Sequence, residues 1–561
     1  MMTLTYSISA LLLAFAWLAY GWLYNWRFRT YKHIPSYYPP SLFMGNLATI
    51  GTAVAQLKDP RRHTDYAFEK LWKDAGYPQI TLLDLRPLNP PLLLVASHEV
   101  AEQISKASKE HTWSVTKSPT MGALLDMIGK KSILVAEGDT WRALRRRFNA
   151  GFAPQHLMTL MPVILQKVDR FVAKLDALAI SGAEAEMEPL CTNLTFDIIG
   201  DVICNLDLKA QDTDSGGHEV VYFFKRLLAT YAGQSRLPSL TNLMLRIRRR
   251  YYATKADASI KKCIKNSFAD VKIAQETGVK DSRNRSVLSL ALKDTNDLTS
   301  EDLQIAADQV KSFFFAGHDT TSILLQRLFH ELSCNPKCLE ALRAEHDAVF
   351  GEEDPRSVLL SEPEHTMKQL TYTSACIKEA LRLWPPAGTA RLSVPEKGFK
   401  VRLEDGSEVC VDGTILYHNH FLIQRDPRVY GDTACKFVPE RWLGNTSTAA
   451  ADEGEHCVET DDQKIPISAW RPFERGPRNC IGQELANLEA RVILACVIRK
   501  FDFIKLGAGA VLNDEKGQPI VDEGGRYKTN GELFSVSALS EDHYRDNADS
   551  DIDPCHYCKA L

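Results

Sequence analysis

The spacing of apolar and polar positions divides the 561-residue chain into segments of different structure. Residues 1–26 carry no charged side chain. Residues 80–96 form two short apolar runs separated by prolines, which predict two strands. Apolar residues then recur at threes and fours from 97 to about 385, which predicts mainly helices; 386–420 favours strands and 481–501 another helix. The predicted fold class is therefore mainly α with small β-sheets, an α+β arrangement.

The uncharged N-terminus predicts one transmembrane helix, a membrane anchor over residues 1–26. About 20 apolar residues suffice to span a bilayer as a helix. Arg27, Arg29 and Lys32 follow at once, and such a basic flank keeps the rest of the chain on the cytoplasmic side. A buried core helix is the alternative interpretation.

Proline and linker patterns predict the remaining organisation. Three prolines within residues 35–40 indicate a stiff, extended segment, so 27–40 is interpreted as a basic flank and proline hinge. No Gly/Ser-rich or Pro-rich linker interrupts residues 60–530, which favours one large domain over 41–540. An acidic tail over 541–561 completes the chain.

Composition argues against a nucleic-acid-binding protein and against a disulfide-rich secreted protein. Lys plus Arg number 67 and Asp plus Glu 71, a net charge of −4 that gives no electrostatic footprint for nucleic acid. The 13 cysteines have no framework spacing, which favours reduced thiols in a cytosol-facing protein. The Cys555-His556-Tyr557-Cys558 group in the tail lacks two further ligands for a zinc site.

The segment Phe-Glu-Arg-Gly-Pro-Arg-Asn-Cys-Ile-Gly at 473–482 carries the clearest chemistry. Cys480 stands just before a predicted helix, where backbone N–H groups stabilise an anion. A cysteine in that position tends to be a thiolate, and a thiolate is a metal ligand. Arg478 can pair with a carboxylate.

This segment resembles the haem-thiolate loop of the cytochrome P-450 superfamily, FxxGxRxCxG. Three further motifs follow the family's order: AGxDT on a long central helix, ExxR, and PER. The resemblance covers about residues 36–540, and the anchor is similar to that of the microsomal class. The matching positions are Phe473, Gly476, Arg478, Cys480 and Gly482 for the loop, Ala316 to Thr321, Glu379 to Arg382, and Pro439 to Arg441.

The resemblance implies a cytochrome P-450 fold that binds haem b, with Cys480 as the axial thiolate ligand of the iron. The loop residues Phe473, Gly476, Arg478 and Gly482 would bind the cofactor. Trp141 and Arg145 are four residues apart and share a helix face. In the family such a pair donates to the haem propionates, and Arg391 is expected to have the same task.

Two further groups have implied roles. Asp319 and Thr320 would deliver protons to iron-bound dioxygen; the alternative is that Thr320 only bonds back to its own helix. That helix is expected from Glu301 to Ser333, with Ser300 as its cap. Glu379 and Arg382 are spaced for an ion pair, to which the family adds Arg441 as a third, structural member. A surface ion pair is the alternative.

The resemblance implies a monooxygenase that hydroxylates or epoxidises a lipophilic small molecule with O2 and NADPH-derived electrons. The expected partner is an NADPH-cytochrome reductase, with cytochrome b5 as a further donor, and the expected location is the endoplasmic reticulum membrane. The stretch Trp141 to His156 is similar to fungal members of secondary metabolism that act on polyketides or terpenoids. The alternatives are an O2-independent isomerase or dehydratase, a non-catalytic haem-binding protein, and a role in detoxification. The reductase surface would include Arg142, Arg146, Arg147 and Arg475, and the apolar pocket would draw on Trp113 to Ile133, Leu227 to Leu245, Phe313 to Ala316, Ala387 to Leu392 and Leu533 to Val536.

Overall fold

The computed structural model describes residues 2–57, 59, 62–212, 217–232, 240–277, 285–443, 458–459, 464–531 and 557–560. It confirms a mainly helical protein with small sheets. The helices are α1 Met2–Tyr24, α2 Leu47–Ala55, α3 Thr64–Asp74, α4 His98–Ser105, α5 Leu125–Ile128, α6 Gly138–Asn149, α7 Pro154–Met158, α8 Met161–Ser181, α9 Met187–Cys204, α10 Glu219–Ala232, α11 Leu240–Thr277, α12 Val287–Leu292, α13 Ser300–Cys334, α14 Pro336–Phe350, α15 Pro355–Ser361, α16 Pro363–Gln369, α17 Thr371–Leu383, α18 His420–Ile423, α19 Pro427–Tyr430 and α20 Gln483–Val497. The strands are β1 Ile80–Leu83, β2 Leu92–Val95, β3 Thr116–Lys117, β4 Ala185–Glu186, β5 Thr389–Leu392, β6 Lys400–Arg402, β7 Glu408–Cys410, β8 Ile415–His418, β9 Val458–Glu459, β10 Lys464–Ile465, β11 Phe503–Lys505 and β12 Tyr557–Ala560.

The chain forms two compact units, each assembled from separated segments. The first unit comprises Met1–Pro119, Gly388–Arg428 and Glu474–Arg478. Its sheet has the order β1-β2-β8-β5-β3, and only the β2–β8 pair is parallel among these described strands. Every residue of β1 and β2 is buried, which explains why both strands are unbroken apolar runs in the sequence.

The second unit is mostly helical and comprises Thr120–Ala387, Val429–Phe473 and Asn479–Leu561. Its longest buried helix, α13, packs against α9, α11, α17 and α20. Thr299 caps α13, because its hydroxyl accepts a hydrogen bond of 3.1 Å from the N–H of Asp302. The prediction that Ser300 is the cap is therefore wrong by one residue.

The second unit also contains a small sheet of the order β11-β12-β4. Its strand β12 comes from the predicted acidic tail. The rest of that tail, with Cys555 and His556, lies outside the described residues, as do the pocket segment Leu533 to Val536 and residues 233–239.

The N-terminal helix α1 is exposed at every position from Tyr6 to Tyr20 and continues as a π-helical turn, Asn25–Arg29. The stretch Tyr6–Arg29 has a mean hydropathy of 1.5, and none of its most apolar window is buried inside the protein. It is the one helix of the described residues that is long and apolar enough to cross a membrane. The alternative of a buried core helix is wrong.

Arg27 does not extend into solvent as a member of the basic flank. It is buried, lies 2.7 Å from Asp84 Oδ2, and donates hydrogen bonds to the carbonyl oxygens of Leu42, Phe43 and Arg86. The proline segment that follows, residues 35–40, is neither helix nor strand. It is also fastened to the unit, since the carbonyl of Pro35 accepts a hydrogen bond of 2.8 Å from the β1 backbone.

Candidate active site

The loop from Phe473 to Gly482 ends at the start of α20. The N–H of Cys480 donates a hydrogen bond of 2.8 Å to the carbonyl oxygen of Phe473, which closes the loop. Gly482 is the N-terminal cap residue of α20, and the Cys480 side chain is exposed. The thiol is therefore accessible beside the N–H groups at a helix start, a setting that favours the thiolate.

Gly476 has a structural reason to be glycine. Its φ of +76° lies in the left-handed region, and a Cβ atom there would stand 2.3 Å from the carbonyl oxygen of Ser105. Only a residue without a side chain fits both requirements. The loop thus turns tightly against the C-terminal end of α4.

Trp141 and Arg145 occupy one face of α6, as predicted from their spacing. Trp141 is buried. Arg145 donates hydrogen bonds of 2.7 and 2.8 Å to the backbone and side-chain oxygens of Asn479, the residue before Cys480. Burial lowers the pKa of Arg145, whereas negative charge on Cys480 acts in the opposite direction. A cationic group therefore lies close enough to Cys480 to stabilise a negative charge on its sulfur.

Arg391 and Arg478 are both buried residues of the first unit. Arg391 lies on β5 and donates a long hydrogen bond of 3.5 Å to the carbonyl of Val115. Buried guanidinium groups need acceptors or an anion, and carboxylates satisfy them best. The propionate role of Arg391 and the cofactor-binding role of Arg478 stay predictions.

The middle of α13 is less buried than the rest of the helix. Most positions of α13 are buried, but Phe315–Gly317, Asp319 and Thr320 are partly exposed. Phe313, by contrast, packs on Phe148 and Phe152 with ring centroids 5.3 and 5.2 Å apart. Within the predicted pocket stretch Phe313 to Ala316, only the last two residues are therefore partly exposed.

Gly317 serves helix packing. A Cβ atom on it would lie 2.7 Å from the side chain of Ile199 on α9, so glycine lets α13 approach α9. His318, the next residue, is buried, and burial lowers the pKa of its imidazole.

Thr320 bonds back to its own helix in this structure. Its hydroxyl donates a hydrogen bond of 2.7 Å to the carbonyl oxygen of Ala316. The back-bonding geometry is therefore present. The hydroxyl oxygen keeps lone pairs with which it can accept a further bond. A role for Asp319 and Thr320 in proton delivery stays a prediction.

Glu379, Arg382 and Arg441 are in direct contact. Arg382 donates hydrogen bonds of 2.8 Å to each carboxylate oxygen of Glu379, and Arg441 donates one of 3.0 Å. Burial alone would raise the pKa of Glu379, but the charges of the two arginines hold it below its usual value. The alternative of a surface ion pair is wrong, because the side chains of Glu379 and Arg382 are completely buried.

The basic residues expected on the reductase-binding surface differ in their exposure and in their partners. Arg142 and Arg146 are exposed on α6. Arg147 instead donates a hydrogen bond of 2.9 Å to the carbonyl of Ala291, so it is part of the packing between helices. Arg475 pairs with Glu102 at 3.0 Å.

One cluster was missed by sequence reasoning. Glu474, inside the Cys480 loop, contacts His418, His420 and Ser105. The sequence contains one sign of this cluster: an acidic residue follows Phe473 directly, at a variable position of the loop motif.

The second unit has the features that a haem site requires. An exposed thiol stands at a helix start, the cationic Arg145 lies close to it, and the middle of α13 is partly exposed. A single soft sulfur ligand with a nearby guanidinium fits a haem iron and an anionic propionate better than a closed zinc site, which needs four ligands. The residues present therefore fit haem.

Comparisons with known proteins agree with this geometry. The cytochrome P-450 family model matches residues 63–524. Similar proteins include the monooxygenase acrF of Aspergillus aculeatus, 31% identical over 75% of this chain and 83% of its own length. Another is the monooxygenase polC of Polytolypa hystricis, 29% identical over 78% of this chain and 75% of its own length. The protein LUTEIN DEFICIENT 5 of Arabidopsis thaliana is 27% identical over 76% and 69%. With its cysteine loop, its buried ExxR pair and this match, the chain belongs to the cytochrome P-450 family of haem-thiolate monooxygenases.

Proposed function

We propose that this chain is a membrane-anchored monooxygenase that hydroxylates or epoxidises a lipophilic small molecule in fungal secondary metabolism. Its electrons come from NADPH through a reductase, and the substrate is a polyketide or a terpenoid. The observation that carries the proposal is the exposed Cys480 thiol at the start of α20. Bound haem supplies the iron that activates dioxygen.

Each predicted site residue has a role in this proposal. Cys480 holds the iron, and the residues of its loop shape the backbone around the sulfur. Basic and indole N–H groups bind the propionates. The loop residues are Phe473, Gly476, Arg478 and Gly482, and the propionate donors are Trp141, Arg145 and Arg391.

The substrate meets α13 at its partly exposed segment. Phe315 and Ala316 offer apolar contact there, which favours a lipophilic molecule held mainly by shape. Asp319 and the Thr320 hydroxyl relay protons to the reacting atoms, once that hydroxyl has left the Ala316 carbonyl.

The proposed location is the endoplasmic reticulum membrane, with α1 as the single span and the rest of the chain in the cytoplasm. The exposed Arg142 and Arg146 attract an acidic NADPH-cytochrome reductase, and cytochrome b5 can donate an electron at the same surface. Arg147 contributes less, since it is engaged with Ala291.

Cys480→Ser tests the proposal. The variant should lose the red-shifted Soret band of the reduced carbon monoxide complex, because a serine oxygen cannot replace the thiolate. Cys435→Ser is the matched control, since Cys435 is also exposed and should keep the band. A red-shifted band in Cys480→Ser would overturn the assignment. Turnover without NADPH or reductase would favour an isomerase or dehydratase, and no NADPH consumption across a substrate panel would favour a non-catalytic haem protein.

Metabolite profiles of the host with and without the gene test the pathway role. A product that disappears while a precursor lighter by one oxygen accumulates supports a biosynthetic hydroxylase or epoxidase. Unchanged profiles, together with sensitivity of the deleted strain to lipophilic toxins, would indicate detoxification instead.

A further inference from the structure

Glu474 adopts an unusual backbone conformation within the Cys480 loop. It lies six residues before Cys480, is buried, and has a φ of +57°. A non-glycine residue in the left-handed region is strained, because its Cβ atom crowds the neighbouring carbonyl oxygen. Such a conformation persists where the surroundings fix it.

The Glu474 carboxylate has hydrogen-bonding partners on both oxygens. His418 Nδ1 and His420 Nε2 lie 3.0 and 3.2 Å from Oε2. Ser105 Oγ lies 2.8 Å from Oε1 and shares its proton with the carbonyl of Ala101, also at 2.8 Å. The backbone N–H of Arg475 donates to Oε1 at 3.1 Å. We call Glu474, His418, His420 and Ser105 the Glu474 clamp.

The clamp joins the loop to several elements of the first unit. Ser105 ends α4, His418 ends β8 and His420 begins α18. The next residues reinforce the attachment, because Arg475 Nε donates to Glu102 on α4 at 3.0 Å and Gly476 touches the Ser105 backbone. Three successive loop residues are thus held against α4.

We propose that Glu474 is a positioning residue for Cys480, an inference that rests on the proposed haem-thiolate function. A carboxylate accepts about four hydrogen bonds, and Glu474 has that number of partners: the three other side chains of the clamp and the N–H group of Arg475. The clamp fixes the backbone path from which the loop reaches Cys480 and thereby keeps the sulfur directed at the iron.

The same side chains have the donor set of a zinc site. The ligand atoms of His418, His420 and Glu474 all lie within 4.8 Å of one another. A bound metal and the clamp exclude each other, because the metal would take the lone pairs and ring nitrogens that the hydrogen bonds use. Metal analysis therefore separates the two interpretations.

The test compares the full-length, haem-loaded protein with Glu474→Gln. This substitution keeps the size of the side chain but places an NH2 group among donors. Loss of the red-shifted Soret band on warming and global unfolding by circular dichroism are measured on the same samples. We expect the band to decay about tenfold faster in Glu474→Gln, the size expected for hydrogen bonds to a charged group, at temperatures where the fold persists.

Two matched variants separate positioning from general stability. Glu345→Gln alters another carboxylate with several donors, from Thr371, Tyr372 and Thr373, and should lose the band only as it unfolds. His420→Gln retains an N–H donor and should behave like the wild type, whereas His420→Phe should behave like Glu474→Gln. This pair keeps the test decisive if Glu474→Gln does not fold.

Two results would overturn the proposal. One is band decay in Glu474→Gln and His420→Phe at the wild-type rate, or only together with unfolding. The other is zinc in the purified protein at one atom per iron, lost in His420→Phe. If Cys480→Ser itself kept the band, the proposed function would fail; if Cys480→Ser lost it while Glu474→Gln had no effect, only the positioning role would fail.

Discussion

Arg382 donates two parallel hydrogen bonds of 2.8 Å to Glu379, and neither side chain has any exposed surface. Removing one partner of a buried ion pair leaves an uncompensated charge, at a cost of about 3–5 kcal/mol. We expect Arg382→Ala to lower the free energy of unfolding by that amount and to reduce haem-loaded yield, measured by chemical denaturation and absorbance.

The control for Arg382→Ala is Lys400→Ala. Lys400 pairs with Glu408 at 3.5 Å, and both side chains are more than half exposed. An exposed pair contributes less than about 1 kcal/mol. Equal losses in the two variants would contradict the central role of the buried pair.

Glu489 on α20 makes stability depend on pH. Complete burial raises the pKa of its carboxyl from 4.5 to about 8. Below pH 4.5 the folded and unfolded states both hold the proton. Above it the unfolded state ionises while the folded state stays neutral, so stability falls until about pH 8. Over this pH range, the ionisation of Glu489 in the unfolded state lowers the free energy of unfolding by an amount on the order of a few kcal/mol.

Glu489→Gln should remove this part of the pH dependence. Free energies of unfolding measured between pH 5 and 8 should fall more steeply for the wild type than for the variant. Glu484→Gln changes a partly exposed carboxyl in the first turn of the same helix and serves as control. Identical slopes for wild type and Glu489→Gln would contradict the prediction.

Thr320→Ala removes the hydroxyl that donates to Ala316, whereas Thr320→Ser retains it. We expect the Ala variant to consume NADPH but to release peroxide, with product formation at least about tenfold lower because proton transfer fails. Peroxide per NADPH consumed is the measurement. If Thr320→Ser and Thr320→Ala release equal amounts of peroxide per NADPH consumed, the hydroxyl does not transfer the proton.

Arg27→Gln should loosen the connection between α1 and the rest of the first unit. It removes the 2.7 Å contact with Asp84, and we expect a cost of about 3 kcal/mol, the lower end for a buried pair because Arg86 still contacts Asp84. The loosened connection should be visible as faster proteolysis within residues 25–40. Arg29→Gln makes the same charge change at an exposed position and should not alter the cleavage rate.

Local spacing predicted the parts of this protein that depend on near neighbours. The ExxR pair is three residues apart, α6 presents Trp141 and Arg145 on one face, and the strands β1 and β2 are short apolar runs. Each follows from the period of a helix or strand. The order of the motifs predicted the family, because it linked these local elements to one known arrangement.

What the sequence did not predict depends on distant contacts. Glu474 meets Ser105 across 369 residues, and Arg27 meets the carbonyl of Arg86 across 59. Arg147 has the same local pattern as Arg146 but finds the Ala291 carbonyl. No rule of spacing distinguishes such residues from solvated neighbours, because tertiary packing decides which charge is buried.

The burial of Arg27 also determines where a soluble version of this protein should begin. Cutting after Arg29 looks natural from the sequence, since the uncharged stretch has ended there. That cut would delete the guanidinium group that holds the carbonyls of Leu42 and Phe43. A version starting at Asn25 would remove the exposed apolar helix α1 and keep the Arg27 contacts with the rest of the first unit. Two proteins that differ only by the five residues of the π-helical turn should therefore differ in yield and stability for reasons unrelated to the membrane.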